Sequence, residues 1–184
     1  MVLSFRALGS LLGVSVLLGF GVVGWAAPQL QNDELGRLEQ LRALGVSVSL
    51  GGACGAPEQL ATYNMGANAL CLSDAFLARP AERSKVLHHE LVHVVQDCLD
   101  GLASPTSVSL VDGLRRAGDL TERQLNGFFL QHLRDQGNLK HVVATTALLP
   151  QDSRQREIEA YALQVDPALV QHLLRQSCRL GSGG

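Results

Sequence analysis

The chain has 184 residues, a formal net charge of −2 and a hydrophobic fraction of 46%, with aromatics at only 4%. That length suits one buried core, and the evenly mixed charges include no basic block of the kind a nucleic-acid partner requires. No internal repeat or low-complexity segment interrupts it.

The N-terminus comes first. Arg6 is the only charge before Asp33, and residues 7–23 form a Gly-rich apolar run. Gly24-Trp25-Ala26 places small residues at the −3 and −1 positions of a cleavage site. Residues 1–26 therefore read as a secretory signal peptide cut after Ala26, or, left uncut, as a membrane anchor just long enough to span a bilayer. Either way the remainder is exported, secreted or periplasmic. Export governs the reading of Cys54, Cys71, Cys98 and Cys178. Four cysteines in an oxidising compartment favour two disulfides, with three connectivities open. The preferred pairing is Cys54–Cys71, close in sequence, and Cys98–Cys178. The absence of a C-x-x-C pair argues against a four-cysteine zinc site.

Leu30, Leu35, Leu38, Leu41 and Leu44 recur at helical spacing and predict a helix over 32–43, with Gly45 ending it. Residues 46–50 alternate apolar and polar, which predicts a half-buried strand. Residues 51–55 form a loop. Two strand-like runs, 61–64 and 69–73, flank Met65-Gly66-Ala67-Asn68 and predict a β-hairpin.

The longest uninterrupted helical run follows, from about Pro80 to Leu99. Pro80 suits a first helical position and Asp100-Gly101 a stop. Leu87, Leu91, Val94 and Val95 supply an apolar stripe. Within it, His89-Glu90-Leu91-Val92-His93 reads H-E-x-x-H. Residues four apart share a helix face, so His89 and His93 can hold one Zn²⁺. Glu90 between them can reach the metal-bound water as a general base. Gln96 shares the ligand face and can bond to a ligand or to substrate. His88 points about 100° away from His89 and is a neighbour rather than a ligand.

Residues 101–118 read as loop. Thr121-Glu122-Arg123-Gln124 is a capping box that opens a helix ending near Gly137. A shorter helix follows over 139–149 and stops at Pro150. Asp152 or Ser153 can cap the next helix, which carries an apolar stripe of Ile158, Ala162 and Val165. Asp166-Pro167 ends it and opens a final helix to Cys178. Residues 181–184 are expected to be a flexible tail.

A catalytic zinc takes three protein ligands and keeps a position for water. The residues after His93 lack the Gly and third His of an extended H-E-x-x-H-x-x-G-x-x-H, which leaves a carboxylate from another helix. Glu157 and Glu159 compete for that place. They point about 200° apart, so one of them at most faces the metal.

In its H-E-x-x-H helix and its downstream Glu157-x-x-Ala160, the chain resembles the gluzincin group of zinc metallopeptidases. The resemblance implies His89, His93 and Glu157 as ligands and Glu90 as base. The small Ala160 would let the two helices approach. It also implies that the strand at 69–73 is the sheet edge that binds substrate backbone. In the group an Asp four residues after the Glu ligand orients the first His. Here that position is Tyr161, with Asp97 as a substitute or as a solvated residue near the helix end. Tyr63, Tyr161, His132 and His141 are the candidates for stabilising the oxyanion, Tyr161 foremost. His172 is expected on the surface.

The expectation is an α+β, zincin-like domain over 27–180, mainly helical, with a small antiparallel sheet or hairpin before the motif helix. Its function would be that of an exported zinc metallopeptidase acting on a peptide or protein, with membrane attachment through the N-terminal segment as an option. The alternative is a non-catalytic zinc-binding or interaction module of the same fold.

Overall fold

A computed structural model describes residues 29–180, apart from Ala103, Pro105 and Asp119. The export segment at 1–26 and the tail at 181–184 lie outside the described residues.

The first helix, α1, is Asn32–Ala43. Glu34 closes its first turn by accepting the Gln31 backbone N–H at 2.7 Å. Gly45 follows it at φ 87°, the left-handed geometry that ends many helices and favours glycine. Three strands come next: β1 Ser47–Leu50, β2 Ala61–Asn64 and β3 Ala69–Leu72. The hairpin expected from the sequence forms between β2 and β3, antiparallel, with Ala61 opposite Leu72 and Asn64 opposite Ala69.

The sheet is mixed rather than antiparallel, because β1 pairs with the other side of β3 in parallel. The strand order is β1-β3-β2. This overturns one expectation. The strand at 69–73 is central, with both sides paired, and cannot offer its backbone to a substrate. The edge facing the motif helix is β2. The cause is the parallel return of β1, which alternation within a strand does not encode.

A short helix α2, Asp74–Leu77, is capped by the Ser73 side chain, which accepts from the Phe76 N–H. The long helix α3 runs Pro80–Cys98. It packs on β2, on α7 (Gln151–Leu163) and on α8 (Pro167–Leu180). Leu87, Leu91, Val94 and Val95, at most 1% exposed, are its contribution to a core shared with Leu163, Val170 and Leu174. The apolar stripe read from the sequence is the buried one.

Between α3 and α7 lie α4 (Leu110–Ala117), α5 (Glu122–Asp135) and α6 (Leu139–Thr146). The expected capping box opens α5, with Thr121 accepting from the Gln124 N–H. The reading of 101–118 as loop is corrected by α4. Its cap is Ser109, whose hydroxyl accepts the Asp112 N–H at 3.0 Å and donates to the Asp112 carboxylate at 2.9 Å.

The start of α7 also differs from expectation. The helix begins directly after Pro150, and neither Asp152 nor Ser153 caps it. Arg154 reaches back instead to the carbonyls of Thr146, Ala147 and Leu149 at 2.7–3.2 Å, filling the open C-terminal end of α6. The buried face of α7 is Glu159, Ala160, Ala162 and Leu163, whereas Val165 is 49% exposed. Neighbours on three sides, α3, α5 and α6, bury this wider face.

Both expected disulfides form. Cys54–Cys71 ties the β1–β2 connection to the central strand, and Cys98–Cys178 joins the end of α3 to α8. Two disulfides belong to an oxidising environment. Among the described residues no helix is long and apolar enough to cross a membrane.

Candidate metal centre

His89 and His93 are one turn apart on α3, and Glu157 faces them from α7. His89 Nε2 lies 3.3 Å from Glu157 Oε2, and His93 Nε2 lies 3.4 Å from Glu157 Oε1. The two Nε2 atoms are 3.3 Å apart. An ion with tetrahedral ligand bonds of about 2.0–2.1 Å has ligand-to-ligand edges of about 3.3–3.4 Å. The three separations match those edges. These residues are thus a group able to hold a metal ion. Ala160, one turn on from Glu157, is fully buried.

Electrostatics carry the same signature. Burial would raise the Glu157 carboxyl, but hydrogen bonds from His89 and His93, and their charges, hold it far below the ordinary range. Burial would lower the His93 imidazole, but its bond to Glu157 and the charges of Glu90 and Glu157 leave it above its usual 6.5. A cluster that pulls a proton onto its imidazole is one that favours a cation between its ligands.

Competition between the two carboxylates is resolved by place. Glu157 is 32% exposed and faces the histidines. Glu159 is fully buried on the other side of α7. It accepts from the Leu110 and Val111 backbone N–H groups at 2.7 and 3.1 Å, holding the N-terminus of α4. It also accepts from Gln96 Nε2 at 2.8 Å and Gln155 Nε2 at 3.0 Å. Burial pushes the Glu159 carboxyl above its usual range, against the pull of these four donors.

Gln96, fully buried, accepts the His93 Nδ1 proton on Oε1 at 2.8 Å. Its partner is thus one of the three residues able to hold a metal ion. The orienting role suggested for Asp97 is corrected. Asp97 is neither at a histidine nor solvated: it is fully buried and accepts the Tyr63 hydroxyl at 2.5 Å. Burial leads in raising its carboxyl, against the pull of that hydroxyl.

A cleft of about 450 Å³ opens over His89, His93 and Glu157. Glu90, Tyr161, Arg156, Gln164 and β2 residues Ala61, Thr62 and Tyr63 line it. Glu90 Oε2 accepts the Tyr63 backbone N–H at 2.8 Å, which joins the motif helix to the sheet edge. Tyr161 packs edge-on against the His89 ring, with centroids 4.7 Å apart. Burial first, then the charges of Glu157 and Glu90, raise its phenol, so it stays a neutral donor.

Among the other oxyanion candidates, Tyr63 lines the cleft but spends its hydroxyl on Asp97 and Asn68. His132 stacks on Phe128 and His141 is exposed; neither lines the cleft. His88 is buried with Nδ1 2.6 Å from the Ser84 carbonyl, apart from the ligands as expected, and its pKa is lowered chiefly by burial. His172 is on the surface.

No family model, curated protein or solved structure matches this chain. The case for its chemistry therefore rests on its own residues.

Sequence reasoning missed the role of Glu159. A signal was present: Ser109-Leu110-Val111-Asp112 has the spacing of a helix cap, and the helix it opens must face its N–H groups toward an acceptor.

Proposed function

We propose that this protein is an exported zinc-dependent metallopeptidase. The observation that carries this reading is the placement of Glu90. It sits between two metal-competent histidines, lines the same cleft as Glu157, and has one carboxylate oxygen engaged by the Tyr63 N–H and the other free for a proton.

His89, His93 and Glu157 would hold Zn²⁺; a set of two imidazoles and one carboxylate suits that ion in catalytic sites. When bound, the ion supplies a water of lowered pKa and polarises a carbonyl. Glu90 then takes the proton of the attacking water and delivers it to the leaving amine. The Tyr63 N–H keeps Glu90 Oε2 fixed during both transfers. Tyr161 donates its phenolic proton in a hydrogen bond to the carbonyl oxygen as charge develops there.

Substrate backbone has a place to lie. The Leu60 carbonyl accepts the Ser73 N–H, so alternate residues Leu60, Thr62 and Asn64 bond inward to β3. The N–H and C=O groups of Ala61 and Tyr63 then point outward into the cleft. Apart from the Tyr63 N–H, they are free to pair with an extended peptide, which would add a strand to the sheet. Attachment to the membrane through the N-terminal segment, if it is retained, would hold this cleft outside the cytoplasm.

The test compares zinc-loaded wild type with Glu90→Gln on a broad peptide library. Wild type should cleave. The variant should keep its zinc and lose activity by about 100-fold or more. Equal activity in the two proteins would remove Glu90 from the mechanism, and a zinc-loaded wild type with no hydrolysis would leave only a zinc-binding module.

A further inference from the structure

Of the two ring nitrogens of His93, Nε2 lies by Glu157 and His89 and Nδ1 by Gln96. Gln96 has two faces. Its amide nitrogen sits 3.1 Å from the Arg156 carbonyl oxygen and 2.8 Å from Glu159 Oε2. Both partners there are acceptors. Turning the amide over would set its oxygen against two other oxygens and leave the NH₂ group facing His93. Oε1 must therefore face His93 Nδ1. An oxygen there requires a proton on Nδ1, which leaves the lone pair on Nε2, the atom aimed at Glu157 and His89.

Glu159 is just as constrained. Its two oxygens receive the Leu110 and Val111 backbone N–H groups and the Gln96 and Gln155 amides. Four donors occupy its lone pairs, so it cannot turn to offer Gln96 anything but an acceptor. Gln96 and Glu159 are each 0% exposed, so water does not compete for these bonds.

We propose that Gln96 and Glu159 are positioning residues for the metal centre, a relay that transmits the orientation of the α4 N-terminus to the tautomer and ring setting of His93. The relay rests on the metal-site reading above but not on peptide hydrolysis. The structural alternative is that Gln96 and Glu159 only bind α3, α4 and α7 together, with no bearing on metal affinity.

Zinc affinity measured by competition with a chromophoric chelator separates the two. In Gln96→Leu, which removes the acceptor at Nδ1, zinc should bind about 10- to 100-fold more weakly. Glu159→Gln, which keeps the shape but frees the Gln96 amide to turn, should show a smaller loss. The d–d spectrum of the Co²⁺ protein should shift in both variants. A wild-type affinity and an unchanged spectrum in folded Gln96→Leu would overturn the relay. A second measurement needs no substitution. In the zinc-loaded wild type, ¹⁵N-edited spectra should show the His93 Nδ1 proton, slow to exchange, with the metal on Nε2; metal on Nδ1 would overturn the proposal. If instead wild type and His93→Ala both fail to bind zinc, the metal-site reading itself falls, a result distinct from failure of the relay.

Discussion

Glu157 and His93 shift in opposite directions for the same reason: each ion stabilises the other in a partly dry site. The consequence for the metal-free protein has a definite sign. Glu157 is depressed, so its contribution is present above the ordinary value of 4.5 and is lost as pH falls through its folded value. His93 is raised, so its contribution is complete below 6.5 and is lost as pH rises through its folded value. Metal-free protein should therefore gain most from this pair between 4.5 and 6.5 and lose it on the alkaline side, read from thermal melts as a function of pH. Metal binding must displace the His93 proton. Calorimetry in buffers of different ionisation enthalpy should register about one proton released per ion below the His93 pKa; no release would contradict this account of the cluster. Substituting Glu157→Ala should remove a ligand and abolish stoichiometric zinc, whereas His132→Ala, remote from the cleft, should leave zinc content unchanged.

At the scale of elements, the His89–His93–Glu157 group is made by α3 and α7, with α4 packed against α3. Gly113 on α4 shows how close that packing is. A Cβ there would meet Leu99 Cδ1 at 2.5 Å and Leu99 Cδ2 at 3.0 Å. Gly113→Val should overpack this contact and lower unfolding stability by about 1–3 kcal/mol, measured by chemical denaturation. The helix α3 was legible in sequence, because it announces itself by an apolar stripe between Pro80 and Asp100; Glu157 was singled out only through a family resemblance, the pattern it makes with Ala160. Other features were not. The parallel pairing of β1 with β3 is a choice among strand orders, all of which satisfy the same local alternation, so the strand at 69–73 was taken for a sheet edge although it is central. The burial of Glu159 defeated a reading by apolar stripe, since a buried carboxylate looks like surface until its four donors are in place. Gln96 was placed on the face of His89 and His93, but the partners of its amide nitrogen come from residues 60 and 63 positions away.

For the whole molecule, the disulfides, the buried Glu34–Arg83 pair at 3.6 Å and the His89–His93–Glu157 group tie together different parts of one fold. The Cys98–Cys178 bridge closes a span of 80 residues that includes α7 and Glu157. Its removal in Cys98→Ser/Cys178→Ser should cost about 2–5 kcal/mol of stability. Zinc should add to stability by mass action, about 2.7 kcal/mol at a free concentration 100 times Kd, so a chelator should lower Tm in wild type and leave His93→Ala unmoved. The central claim is that Glu90 works on a water held at His89, His93 and Glu157. Its most direct test is peptide hydrolysis by wild type and Glu90→Gln, each carrying one zinc per chain. Cleavage by wild type alone is the expected result; cleavage by both proteins, or by neither, would contradict it.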